Sequence, residues 1–187
     1  MDHQQDIDQI VALCRQGNRK AQFELYNRYY RAMYNTAVRI VKDVHWAEDV
    51  MQEAFLKAFT RIESYKGEVA FGAWLKRIVV NHSLDSFKKI NKDAADSLED
   101  VLYKVEDDTG ADDAKLDFQQ MKVQQVTQAI NSLKDSYRLI LTLLYIEGYD
   151  QEEITEILNI TPGNCRTTLS RARESLLNKL KEYELQQ

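Results

Sequence analysis

Apolar residues return at intervals of three and four along most of the chain, the pattern of helices that bury one face. In "HWAEDVMQEAFLKAFTRI" they fall at Ala47, Val50, Met51, Ala54, Phe55, Ala58, Phe59 and Ile62. In "ESYKGEVAFGAWLKRIVVNHSLDSFKKINK", Gly67 breaks the rhythm and predicts a loop exposing Tyr65 and Lys66. A helix then follows with Phe71, Trp74, Leu75, Ile78 and Leu84 as its buried side. Farther on, "SYRLILTLLYIEG" predicts an apolar helix closed at Gly148, where a left-handed residue suits a helix end. Asp150 and Glu153 form an Asp version of the capping box that starts the next helix. Ile154, Ile157 and Leu158 make its apolar face, and Asn159 supplies its left-handed cap. Thr161 then caps a last helix with Pro162 at its first position, where a missing N–H costs nothing. That helix places Cys165, Leu169, Ala172 and Leu176 inward.

A short turn between two capped helices is a helix-turn-helix, whose second helix enters the major groove. Here its outward side carries Thr161, Gly163, Asn164, Arg166, Thr167, Thr168, Ser170, Arg171 and Arg173. Arginines fork onto guanine edges or hold phosphates, threonine methyls touch thymine, and backbone N–H groups at the helix start favour a phosphate.

Composition sharpens the class. One proline and six glycines in 187 residues, with 44% hydrophobic residues, predict an all-α protein with room for two small helical domains. Cys14 and Cys165 lie far apart without metal-ligand spacing, which fits a reducing compartment. The polar start "MDHQQDIDQI" reads as neither a signal peptide nor an anchor, and no apolar run is long enough to span a bilayer. The expected location is cytoplasmic.

Charge is distributed unevenly. The stretch 93–115 holds nine acids and two lysines, net -7, whereas the whole chain is -5, so the rest is net +2. With its "DDTGADD" run, this stretch reads as an acidic flexible linker over 93–117, between helical blocks at 1–92 and 118–187.

Two surfaces of the first block invite function. Glu48, Asp49, Gln52 and Glu53 cluster opposite the buried stripe, either as a solvated acidic face or as a docking surface for a basic partner. His45 and His82 lack companions that would complete a metal site. Tyr65, with Lys66, Lys76, Arg77, Asn81, Lys88 and Lys89, offers the aromatic and basic mix that suits single-stranded DNA. No phosphate loop, metal cluster or nucleophile beside a base is present, so neither enzymatic activity nor a cofactor is expected.

Taken together, "AEDVMQEAFLKAF", "FGAWLKRIVVN" and "LILTLLYIEGYDQEEITEILNITPGNCRTTLSRARESL" resemble a bacterial RNA polymerase sigma factor of the extracytoplasmic-function class. The resemblance covers nearly the whole chain in the family's order. It implies a region-two domain, which docks on core RNA polymerase through Glu48, Asp49, Gln52 and Glu53 and opens the −10 element. Asn81 would hold a base flipped from the non-template strand. It also implies a region-four domain that reads the −35 element as duplex, an acidic linker threaded through the polymerase channel, and an anti-sigma factor as regulator. The segment "GNCRTT" departs from the family's frequent "GTVKSR", with Thr168 in place of a frequent arginine. The rival function is a stand-alone helix-turn-helix regulator.

Overall fold

A computed structural model describes residues 2–90 and 123–184. The expected linker, 93–117, lies outside the described residues. All regular structure among those described is helical. The chain divides into two compact units, Met1–Ile90 and Asn91–Gln187.

The first unit contains α1 (Asp2–Arg15), α2 (Arg19–Val41), α3 (Val44–Thr60), a 3-10 turn (Ile62–Ser64) and α4 (Phe71–Ile90). Short polar residues set its corners. Asn18 caps α2 by accepting from the Lys20 and Ala21 amides. Lys42 ends α2 in the left-handed region (φ 59°), and Asp43 caps α3 from the next position. These back-to-back caps turn the chain sharply, so α2 and α3 pack against each other. Leu25, Ala37 and Ile40 of α2, Ala47, Met51 and Ala54 of α3, and Phe71, Leu75 and Val79 of α4 fill the core between them. Along the rim of this core, Tyr29, Phe71, Tyr65 and Trp74 join in an aromatic cluster with ring centroids 5.4 Å apart. Gly72 lets the Tyr29 ring lie close against α4, because a Cβ there would stand 2.8 Å from Cε1 of Tyr29 and push the ring aside. Helix α1 adds Ile7, Ile10, Val11 and Cys14 to the buried set.

The second unit contains α5 (Val123–Ser132), α6 (Asp135–Leu141), a π-helical turn (Thr142–Ile146), α7 (Gln151–Leu158) and α8 (Pro162–Glu184). The apolar segment expected as one helix thus changes geometry at Thr142, whose carbonyl accepts from the amide of Glu147, five residues on, at 2.9 Å. Gly148 closes it at φ 79°. Ala129, Ile130, Leu139, Ile140, Leu143, Ile154, Leu169, Ala172 and Leu176 make this unit's core. Arg138 is fully buried within it, its Nε and Nη2 each 3.1 Å from Oδ1 of Asp135. Burial lowers the guanidinium pKa and the Asp135 carboxylate opposes that shift.

Candidate functional site

The helix-turn-helix is built by local chemistry. The Asp150 carboxylate accepts from the Glu153 amide at 2.8 Å, and the Glu153 carboxylate accepts from the Asp150 amide at 2.9 Å. Such a reciprocal cap satisfies two backbone donors that the first turn would otherwise leave free. Asn159 ends α7 in the left-handed region at φ 54°, a conformation asparagine tolerates. The Thr161 hydroxyl accepts from the Asn164 amide at 3.2 Å and so caps α8. That bond occupies one of the backbone donors at the start of α8 that otherwise suit a phosphate.

Cys165, Leu169, Ala172 and Leu176 are buried as expected, which turns Arg166 and Arg171 outward. Both guanidiniums are exposed and have no hydrogen-bond or ion-pair partner among the described residues. Asn164, Thr167 and Ser170 are half-buried, and the Thr167 hydroxyl donates to the carbonyl of Gly163 at 3.1 Å. Arg173 donates from Nε to the hydroxyl of Tyr145 at 3.0 Å. Between α7 and α8 a cleft of about 250 Å³ is lined by Gln151, Glu152, Thr155, Pro162, Cys165 and Arg166. Burial pushes the Cys165 thiol pKa up, and its Sγ lies 3.8 Å from the carbonyl of Gln151.

Thr168 corrects the outward reading. It is 1% exposed, and its hydroxyl has no hydrogen-bond partner among the described residues. The cause is angular: Thr168 lies three residues after Cys165 and four before Ala172, inside the buried stripe.

In the first unit, α3 turns Glu48, Asp49, Gln52 and Glu53 outward while Ala47, Val50, Met51 and Ala54 are buried. Its first turn contains no acid and is capped instead by Asp43, which accepts from the Trp46 amide at 2.9 Å. Glu48, Asp49 and Gln52 make no side-chain hydrogen bond or ion pair among the described residues. Burial first, then Tyr30 and Glu48, raise the Tyr26 phenol pKa. Leu56 sits on the same face, three residues after Glu53, and is 67% exposed. The sequence reading missed it; the signal was an apolar residue outside the three-four register.

The loop before α4 also differs from expectation. Lys66 is exposed, but Tyr65 is 3% exposed. Its ring packs against Phe71 and Trp74, its hydroxyl donates to the carbonyl of Val69 at 2.9 Å, and its own carbonyl accepts from Arg15. Tyr65 therefore belongs to the core and offers no stacking surface. Trp74 and Ile78, expected inside, are only half-buried. Asn81, Lys88 and Lys89 on α4 are exposed without partners among the described residues, whereas Lys76 and Arg77 are half-buried.

His82 forms a bridge of its own. The buried ring places Nε2 2.7 Å from the Glu53 carboxylate and Nδ1 2.7 Å from Nζ of Lys57. Among the described residues there is no cluster of three or more His, Cys, Asp or Glu side chains able to hold a metal, and no helix is long and apolar enough to cross a membrane.

Two helical units, one with a capped helix-turn-helix and a basic outward face, define a protein of the helix-turn-helix class. The family model for Sigma-70 region 2 matches residues 25–93, and that for Sigma-70, region 4 matches residues 123–176. The chain is 31% identical to the ECF RNA polymerase sigma factor SigW of Bacillus subtilis, covering 94% of this chain and 97% of that protein. It is 30% identical to the ECF RNA polymerase sigma-E factor of Escherichia coli K12, with coverage of 95% and 96%. Among solved structures, the sigma factor RpoE of Bartonella quintana, bound to the anti-sigma factor NepR, aligns at a TM-score of 0.55 and 22% identity, covering 84% of this chain and 95% of that one. CnrH, in complex with the cytosolic domain of CnrY, also gives 0.55, at 21% identity, covering 92% and 96%. The chain belongs to the extracytoplasmic-function class of RNA polymerase sigma factors. It is a promoter-directing initiation factor rather than an enzyme.

Proposed function

We propose that this chain recruits core RNA polymerase through the outward face of α3 and presents it to promoters through α4 and α8. The observation that carries the reading is the row of Glu48, Asp49 and Gln52, without hydrogen-bond or ion-pair partners among the described residues and exposed on a helix whose other side is buried. Charged side chains that neither pair nor pack do little for the fold, and they steer a basic partner into register. Exposed Leu56 gives the same face an apolar contact.

In this scheme α8 reads the −35 element as duplex, with Arg166 and Arg171 as the free guanidiniums and Arg173 released from Tyr145 on contact. Asn81 holds a base flipped out of the −10 element, and Lys66, Lys76, Arg77, Lys88 and Lys89 follow the melted strand's phosphates. The half-buried Trp74 replaces Tyr65 as the aromatic surface for an unstacked base. A captured base returns part of the energy spent on unpairing it. Polymerase supplies the chemistry, so the factor itself works in the cytoplasm without a cofactor. An anti-sigma factor covering the polymerase-facing surfaces would hold it inactive; the similarly folded sigma factor RpoE is bound to the anti-sigma factor NepR.

Size-exclusion co-elution with purified bacterial core polymerase tests the reading. The wild type should travel with core and an Asp49→Lys, Glu53→Lys variant should not. If neither travels with core while the wild type alone binds duplex tightly, the chain acts as a stand-alone helix-turn-helix regulator.

A further inference from the structure

Glu53 and Lys57 stand four residues apart on α3 with the acid first. That spacing and order favour a direct ion pair on a helix surface. Here no direct pair forms, and the imidazole of His82 from α4 stands between the two groups, 2.7 Å from each. An ammonium can only donate, so Nδ1 accepts from Lys57 and the proton on Nε2 is given to Glu53. The ring is therefore held by both neighbours. It is 7% exposed, whereas the Glu53 side chain is 63% exposed.

We infer that His82 is a positioning residue for the α3 docking face: it keeps Lys57 off Glu53 and leaves the carboxylate's second oxygen open to a basic partner. This rests on the docking reading above. A direct pair would swing a cation into a row whose other charged members, Glu48 and Asp49, are both acids. It would also occupy the carboxylate that must meet the partner, weakening the complementarity that brings the two surfaces together. The imidazole spends one carboxylate oxygen, Oε2, on the bridge and fixes the side chain's direction, so less rotamer freedom is lost on binding.

The test measures affinity of the full-length chain for purified core polymerase by fluorescence anisotropy, with thermal melting to verify folding. His82→Leu fills the ring's space without either hydrogen bond and should weaken binding about fivefold. His82→Gln keeps one donor and one acceptor and should bind within about twofold of wild type. Adding Lys57→Met to His82→Leu removes the competing cation and should restore most of the lost affinity. A purely structural role for His82 would not produce that rescue. Wild-type affinity in His82→Leu, or no recovery in the double variant, overturns the inference. If His82→Leu does not fold, the decision passes to a His82→Ala, Lys57→Met pair compared with His82→Ala alone, read the same way. Glu53→Lys separates the two levels: full affinity there removes the docking reading and this inference with it. Lost affinity in Glu53→Lys together with unchanged affinity in His82→Leu removes only the inference.

Discussion

Arg173 on α8 donates its Nε hydrogen to the hydroxyl of Tyr145 in the π-helical turn, at 3.0 Å. One of the arginines of the outward face is thus tied to the fold, while Arg166 and Arg171 are not. In holoenzyme bound to promoter duplex, Arg166→Ala and Arg171→Ala should each lower the slope of log affinity against log salt by about one. Tyr145→Phe should leave that slope unchanged and cost no more than about 0.5 kcal/mol in urea unfolding, because the hydrogen bond it removes is exposed.

Thr168 is a core residue with an idle hydroxyl. Replacing it by valine removes a buried polar group that has no partner among the described residues, and should stabilise the second unit by about 1 kcal/mol. Promoter affinity should stay at the wild-type level in a filter-binding titration. A Thr168 that touched DNA would show the reverse on both counts.

Tyr65 supports the loop through its ring and its hydroxyl. Tyr65→Phe should lose about 1 kcal/mol with its bond to Val69. Tyr65→Ala should lose about 3 kcal/mol or more by opening a cavity beside Phe71 and Trp74. Denaturant melts followed by tryptophan fluorescence read both. Binding of single-stranded −10 DNA by Tyr65→Phe should match wild type.

Cys14 is buried, and burial followed by the charge of Glu24 raises its thiol pKa to about 11 from an ordinary 9.0. The folded thiol holds its proton longer than the unfolded one, so its stabilising effect is complete below pH 9 and is lost as pH climbs through about 11. The wild type should therefore lose more stability between pH 8.5 and 11 than Cys14→Ala does, measured by urea midpoints. At pH 7 neither Cys14 nor Cys165 should react with iodoacetamide until the protein is unfolded.

What the sequence made readable was mostly local. The Asp150–Glu153 box, Gly148, Asn159 and the Thr161 cap each depend on neighbours within a few residues, and the α8 stripe follows from spacing alone. Tyr65 was misread because its place is set by Arg15 of α1, 50 residues away, and by the way the loop folds back onto Phe71 and Trp74 at the start of α4, neither of which a helical period reveals. Thr168 was misread for the opposite reason: it stood inside the stripe, but its polarity argued against placing it there. The His82 bridge joins side chains 25 and 29 residues apart and leaves no periodic trace. The π-helical turn was missed because Thr142 to Ile146 carry nothing that distinguishes five-residue from four-residue bonding.

The division of labour along α8 bears on how such proteins diversify. Cys165, Leu169, Ala172 and Leu176 hold the helix in place, and Arg166 and Arg171 pair with nothing among the described residues. Substitutions at those two positions leave folding unburdened, so a duplicated copy can drift toward new promoters without first acquiring compensating changes. The same separation lets an engineer graft a different pair of outward residues onto this helix and expect the transplant to fold.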